Sequence, residues 1–500
     1  MIRKPTKYKP FNYRFAVFCG LSAALGVIIS ALFYAVSPLI VLILPLALAT
    51  LAAVGFTVAE SRAILIHTLI FIIIYFATAI PVSAHINAAK SLDSIQEPVT
   101  VCGRVRETVS YSVEKDISSV IIEDVTADDR KISGVFVLCY VEGRAEIGDE
   151  TEVYGTLDKT AYPDIDTFYF PSRVAFEITG DFGKITERGG GLFYEARRYI
   201  RNTLTERLDK SAYPFAVGIV LGEADELNAK TLQNLRAAGI SHIFAVSGLH
   251  IGFLAALIAF LLRLINVRRV KNAILVFIIT LIYSGICGFS VSAIRAAITC
   301  FIYGMARSFG LKRDGLNAVF VSMTAVLLVF PDSLFSLGFM LSFAAVTGIS
   351  LFAHNLKEVF SFMPEKLGFA LAVTVSAFLS TAPIIAIVGK NLSLIAIVCN
   401  LLALPFVSAL YYLSIITLIL NAVFSGLSVL FVPLNAVTVF LTDALSKVDF
   451  SRFLIKGSVT PFIAVFYYLT IILTSDKINL TKTAKRICAC ASSLSVLMFV

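Results

Sequence analysis

Residues 239–264 read GISHIFAVSGLHIGFLAALIAFLLRL, and the contrast between the two halves of this stretch decides the fold class. The second half is an apolar run long enough to help cross a bilayer, which takes roughly 20 residues as a helix. The first half crowds His242 and His250, Ser241 and Ser247, and Gly239, Gly248 and Gly252 into the approach to that run. Polar and ionisable groups are costly at membrane depth and tend to mark function there. His242 and His250 are eight positions apart, about 80° around a helix of 3.6 residues per turn. On one helix they would line adjoining walls of a cavity, with Gly248 allowing a break between them. Alternatively, Ser241 and His242 only cap and solvate the start of a helix.

Similar apolar runs recur at 15–36, 38–59, 63–84, 243–265, 272–290, 293–310, 315–331, 334–353, 367–388, 393–424, 458–474 and 487–500. The 393–424 run is broken by Pro405 and reads as two segments or a re-entrant half-helix. Roughly eleven or twelve membrane segments are expected. Across 500 residues, 58% are hydrophobic and 15% charged, with a mean hydropathy of +0.85. Soluble domains carry about 25% charged residues. The expected fold is therefore a polytopic α-helical membrane protein.

Arg3, Lys4, Lys7, Lys9 and Arg14 precede the first run, and no acidic residue occurs before Glu60. The positive-inside rule places this end in the cytoplasm of an inner-membrane protein. No cleavable signal is expected, since the first run is too long for one. Three spans then put 90–186 outside. The span count then puts the basic groups Arg263/Arg268/Arg269/Lys271 and Arg307/Lys312/Arg313 inside, and the place of Lys477/Lys482/Lys485/Arg486 depends on how 393–457 is divided.

The external segment holds 10 Lys+Arg and 19 Asp+Glu, a net −9. The other residues hold 32 basic and 15 acidic groups, +17, an excess that loop topology explains without nucleic acid. Runs at 99–106, 118–124, 132–141, 151–157 and 172–178 alternate and are β-branched, separated by Gly, Asp and Pro, so they predict strands. Five short strands fit a small all-β, OB-like extracytoplasmic insert, or a fragment of a β-sandwich. The expected blocks are an anchor (1–89), the insert (90–186), an amphipathic surface helix (187–211), a polytopic domain (212–478) and a terminal membrane segment (479–500). Gly189, Gly190 and Gly191 read as a hinge. Beyond them, Arg198 and Arg201 oppose an apolar face, which suits the membrane surface or packing on the insert. Cys102 and Cys139 lie in an oxidising compartment that permits a disulfide. The spacing does not settle whether they bond.

Within the polytopic block, Ser292, Arg295, Thr299 and Tyr303 recur at helical steps and form one polar stripe. Arg295 either snorkels to the headgroups or lines water and meets an anionic chain. Ser342 lies among small residues in GFMLSFAAVTGI (338–349). Ser380, Thr381, Pro383, Asn400 and Pro405 interrupt 380–405, where freed carbonyls need partners.

The order GEADEL (222–227), GISHIFAVSGLHIG (239–252), GFSVSAIRAA (288–297), GFMLSFAAV (338–346) and NLLALP (400–405) resembles the competence region of ComEC-type DNA-uptake channels. The resemblance runs through nearly all of 212–478, and HxxAVSGLH is its specific element. It implies an inner-membrane channel that passes single-stranded DNA into the cytoplasm during natural transformation, with the insert meeting DNA outside. His242, Ser247, His250, Ser292, Arg295, Thr299, Ser342 and Asn400 are the candidate channel-lining residues. Glu223 and Asp225 are the candidates for the outer mouth. Expected partners are the lipid bilayer, an external DNA receptor, a cytoplasmic ATPase or helicase, a separate nuclease and further copies of the chain.

The chain departs from the family at Met340, where a Gln is common, and at YPDIDTFYF (162–170), where an NPGxFD-like element is usual. Many relatives carry a C-terminal metallo-β-lactamase-like nuclease. His67, His85, His242, His250 and His354 form no HxHxDH cluster, so the form lacking that domain is expected. No metal, no cofactor and no enzymatic activity are expected, and no P-loop motor occurs. Two alternatives stay open. One is a secondary transporter for small anions, for which no inverted repeat is seen. The other is a membrane-embedded hydrolase using Ser247 with His250, which lacks a nearby acidic partner.

Overall fold

The computed structural model describes residues 15–33, 62–91, 95–447, 454–455 and 467–468, except for short stretches at 113–114, 129, 132–135, 162–168, 224–226, 245, 312–313, 389–390 and 425–428. The expected spans 38–59 and 487–500, most of 458–474, and Asp225 lie outside the described residues, as do the basic N-terminal residues.

Helices α1 (Phe15–Phe33) and α2 (Arg62–Ser91) pack together through small and hydroxyl residues. A Cβ on Gly26 would sit 2.5 Å from the Tyr75 carbonyl oxygen, so only glycine lets the backbones approach this closely. Ser22 Oγ donates to Phe71 O (2.7 Å) and Thr78 Oγ1 to Ala23 O (3.0 Å). Such small-residue packing and interhelical hydrogen bonds hold helices together where lipid removes the hydrophobic drive. The opposite face of α2 presents Ile66, Leu69, Ile73 and Ile80, each more than half exposed, as a lipid-facing stripe should.

The chain then forms β1 (Ile95–Ser112), β2 (Ile117–Ala127), β3 (Arg130–Lys131), β4 (Phe136–Glu142), β5 (Glu150–Lys159), a short α3 (Tyr169–Ser172), β6 (Val174–Gly180) and β7 (Lys184–Glu187). A strand overlaps each of the five expected runs: β1, β2 and β5 extend beyond theirs, β4 covers only the later part of 132–141, and β6 is shifted by two residues. Five of the strands run in the order β1-β2-β4-β6-β5, and β5 pairs back onto β1, so the sheet closes on itself. Most neighbours are antiparallel, but β4 and β6 are parallel, Val137 opposite Phe176. Alternation turns Val101, Val105, Val120, Ile122, Val137, Cys139 and Val153 into a sealed core. The two insert sulphurs are not joined. Cys139 carries a free thiol inside this core, whereas Cys102 is exposed on β1, with β2 between the two strands.

The remaining helices are α4 (Leu192–Arg207), α5 (Tyr213–Leu221), α6 (Ala229–Ala237), α7 (Gly248–Leu264), α8 (Arg269–Ile286), α9 (Val291–Ser308), α10 (Gly315–Val329), α11 (Leu337–Val359), α12 (Glu365–Ile387), α13 (Ala396–Val423) and α14 (Phe431–Lys447). Among the described residues, five helices are long and apolar enough to cross a membrane: Ile66–Ala89, Arg269–Ile286, Leu337–Val359, Glu365–Ile387 and Ala396–Val423. Shorter apolar helices include Ala16–Leu32, Gly248–Leu264 and Gly315–Val329. The break expected at Pro405 does not occur, because α13 runs through it as one helix. Losing one backbone bond to proline is tolerated, whereas opening the helix would strand several polar groups in hydrocarbon. Helix α1 also packs on the later helices: Ala23 and Ala24 share a core with Val319 and Val326 of α10 and Phe343 of α11.

The closed sheet sits at one end of the helices. Arg197 on α4 donates to Ile286 O at the end of α8 (3.1 Å), and Phe193 meets Phe289 edge-on. Gly189 is not a slack hinge, since its N–H donates to Asp149 Oδ1 at 2.7 Å. Helix α4 does not send Arg198 and Arg201 into headgroups either. Arg201 is buried and pairs with Glu146 and Glu223, and Arg198 leans on Glu146.

Candidate functional site

The buried α5 sets the centre of the helical region. Gly222 ends it in a left-handed conformation (φ 78°) that brings its backbone against Val246. A 3-10 turn, Ser241–Phe244, packs on α5 through Phe215 and Phe244, with ring centroids 4.7 Å apart. From the other side Ser292 Oγ donates to Val246 O at 2.7 Å and Ser290 Oγ at 3.3 Å. The amino end of α9 is thereby fixed beside the amino end of α7.

Ser247 is the N-cap of α7. Its N–H donates to His250 Nδ1 (3.2 Å), and its Oγ lies 3.0 Å from the same nitrogen. The role of Nδ1 as acceptor assigns the imidazole proton to Nε2. That nitrogen is fully buried with no protein partner, and the ring lies against Tyr411 of α13, centroids 5.2 Å apart. The two histidines do not share a helix: His242 is exposed in the 3-10 turn and His250 is in the first turn of α7. The angular argument that placed them on adjoining walls therefore fails.

Arg295 reaches from α9 to the start of α7. A Cβ on Gly248 would sit 2.7 Å from Arg295 Nη2, so the missing side chain makes room for the guanidinium. Arg295 is 5% exposed, its Nε has no protein partner, and its cation-π contact is the Phe343 ring at 5.5 Å. No carboxylate pairs with it among the described residues. The amino end of a helix itself carries about half a positive charge. Two positive ends thus converge where burial makes an unbalanced charge expensive.

Of the sequence candidates, Ser247, His250, Ser292 and Arg295 come together here. Thr299 lies one turn further along α9, its Oγ1 donating to Arg295 O at 2.8 Å. Ser342 is half-buried beside Phe343 on α11. Asn400 is elsewhere, donating to Ala396 O (2.8 Å) and reaching Gly239 O (3.5 Å). His250 and Arg295 are both enclosed by protein.

Glu223 does not face an open mouth. It is buried and clamped by Arg144 (2.9 Å), Arg197 (2.8 Å) and Arg201. Burial alone would raise its carboxyl, but the Arg197 and Arg201 guanidinium groups override this and hold it below the usual range. A second buried acid, Asp332, accepts from Arg173 on the sheet and lies 3.3 Å from His85 Nδ1 at the end of α2. Sequence reading passed over Asp332. A lone carboxylate in the apolar stretch VFPDSLF (329–335) was the available signal. Tyr411 and Phe343 gave no signal, because aromatic residues in apolar runs are ordinary. Among the described residues, no group of three or more His, Cys, Asp or Glu side chains is placed to hold a metal ion.

These features define a multi-pass membrane protein with a folded β insert at one face and a buried, unbalanced positive site at the helix ends beneath it. Residues 219–476 match the family described as Competence protein, and the chain belongs to that family. It is 26% identical over 210 residues to ComE operon protein 3 of Bacillus subtilis, covering 42% of this chain and 26% of that protein. It is 28% identical over 219 residues to protein YcaI of Escherichia coli, covering 39% and 28%. A protein of Aquifex aeolicus is 28% identical over 235 residues, covering 44% and 54%. The chain thus spans about a quarter to a half of the length of these relatives. No solved structure matches it.

Proposed function

We propose that this chain forms the inner-membrane passage through which one DNA strand reaches the cytoplasm during natural transformation. The observation that carries the reading is Arg295, a buried guanidinium at the amino end of α7 with no counter-charge among the described residues. A polyanion is the ligand that would balance it, because phosphates bind well both to helix amino ends and to arginine. Membership of the competence family supports DNA as that polyanion.

The exposed Arg263, Arg268, Arg269 and Lys271, together with Arg307, lie at helix ends opposite the sheet. That supports a cytoplasmic face there and an external sheet. The closed strand order with one parallel pair supports an OB-like reading of the sheet. An external DNA receptor, a cytoplasmic ATPase or helicase, a separate nuclease and further copies of the chain remain the proposed partners.

The contact between Ser247 and His250 gives the hydrolase alternative its one supporting distance. The same contact is a helix cap, however, and among the described residues no carboxylate orients the imidazole, whose Nε2 has no partner there. The passage reading is tested by deleting the gene and supplying labelled DNA. Label should stay bound outside and fail to become nuclease-protected inside. Arg295→Gln should cut internal label about tenfold or more, in line with the ~1.5–3 kcal/mol of a charged hydrogen bond. Undiminished internal label in the deletion strain defeats the reading.

A further inference from the structure

The closed sheet carries a net −9 over 90–186, which should repel a polyanion, yet one hollow on it has the opposite character. A cleft of about 560 Å³ lies between the sheet and α4. Among the described residues, Arg144, Arg188, Arg198 and Arg201 line it against a single carboxylate, Glu146, and Tyr111 and Tyr213 add half-buried aromatic rings. Its volume falls in the roughly 300–1,000 Å³ range of sites that enclose small ligands. A smaller hollow of about 210 Å³ shares Arg188 and continues past Gly189, Gly190 and Tyr194.

The four arginines divide by role. Arg144 and Arg201 are held by Glu223 and hold the cleft's shape. Arg188 and Arg198 are more open, 52% and 35% exposed at the side chain. Arg188 spends one terminal nitrogen on Asp149 and Arg144 O, and Arg198 gives one terminal nitrogen to Gly189 O (3.1 Å) and lies 3.8 Å from Glu146. A guanidinium has five N–H donors, so both retain donors for an incoming anion. Arg144 lies over the Tyr111 ring at 5.3 Å, which fixes that ring at the cleft wall.

We propose that this cleft is the first binding site for the single strand, with Arg188 and Arg198 on successive phosphates and Tyr111 and Tyr213 as stacking surfaces for bases. A basic groove with aromatic platforms is the chemistry that takes single strands without sequence preference. The cleft is joined to the membrane site by packing: Arg201 holds Glu223, and the neighbouring Gly222 lies against Val246, the residue before Ser247. The proposal rests on the DNA reading above, but it places recognition on the sheet–α4 junction rather than on the membrane site.

The test is fluorescence anisotropy of a labelled oligo-dT of about 12 nucleotides with the full-length protein in neutral detergent. R188Q/R198Q should weaken binding at least tenfold and lower the slope of log affinity against log salt by about 1.4, at ~0.7 per phosphate. Tyr111→Leu should weaken binding about fivefold or more and leave the slope unchanged. R263Q/R268Q, on the opposite face, should bind as the parent does. Resistance of Cys139 to maleimide in each variant shows that the sheet remains folded. Parental affinity and slope in R188Q/R198Q overturn the proposal while leaving the passage reading intact, which falls only if deletion leaves internal label unchanged. Loss of binding to anionic-lipid vesicles without any effect on the oligonucleotide assigns the cleft to headgroups and overturns it equally.

Discussion

Replacing Glu223 by Gln removes one charge and almost no volume from the joint between sheet and helices. The side chain is buried, and each carboxylate oxygen accepts from arginine: Oε1 from Arg197 at 2.8 Å, Oε2 from Arg144 at 2.9 Å and from Arg201 at 3.0 Å. Removing one partner of a buried ion pair costs about 3–5 kcal/mol, because the other charge stays behind uncompensated. Glutamine keeps one acceptor, so the low end, about 3 kcal/mol, is appropriate. At ~1.36 kcal/mol per tenfold, local opening becomes a little over a hundred times more frequent. The helix that opens is α4, tied to Glu223 by Arg197 and Arg201. Its 16 residues are near the length at which an isolated helix is marginal in water, so undocking should unfold it. Hydrogen exchange on the full-length protein in detergent reads this directly. Protection across 192–207 should fall by about two orders of magnitude, while α12 exchanges as before. Protection within threefold of the parent refutes the argument that this network holds the sheet in place.

Acid should act through the same carboxylate. Its pKa is depressed in the folded protein, so its contribution is complete above the unfolded value, about 4.3, and fades as pH falls through the folded one. Protection of α4 should be flat from about pH 5 to 8 and drop only below about 4, and a drop beginning near 6 would assign the effect to another group. Maleimide should label Cys102 in the native protein and spare Cys139, whose thiol burial pushes up to about 12. Equal labelling of both contradicts the sealed core. Gly348→Ala should lower the melting temperature followed by circular dichroism, since its Cβ would collide with Ser380 and sit 2.9 Å from Ser376 O. Overpacking of this kind costs about 1–3 kcal/mol, and an unchanged melt denies the close approach of α11 and α12.

What the sequence made legible was local. The β insert could be read because alternation is a property of neighbours: Val99, Val101, Val105 and Val120 point inward by parity alone. Apolar runs marked α11, α12 and α13 for the same reason. What could not be read was set by distant pairing. The basic stripe of α4 suits lipid headgroups as well as carboxylates, and only the fold reveals that Glu146 and Glu223, 55 and 22 positions from Arg201, claim it. Pro405 suggested a break because proline opens helices in water, where freed carbonyls find solvent. In α13 the neighbouring bonds have no such alternative.

The enclosed position of Arg295 bears on how a passage for DNA could exist at all. A pore wide enough for a nucleotide would also pass ions, so a standing opening would collapse the membrane potential. On the proposed reading, the resting state must be shut at the level of the site that recognises the strand. On that reading, Phe343 against Arg295 and Tyr411 against His250 are the aromatic rings that close the site. Holding a guanidinium there with no counter-charge among the described residues is unfavourable, and on the proposed reading an arriving phosphate would relieve that cost by displacing the rings. Opening and recognition would then be one event, driven by the difference in how well Arg295 is satisfied in the two states. Phe343→Ala separates the two: it should raise ion conductance of the strand-free protein in planar bilayers, whereas parental conductance would mean that the rings are packing and not a gate.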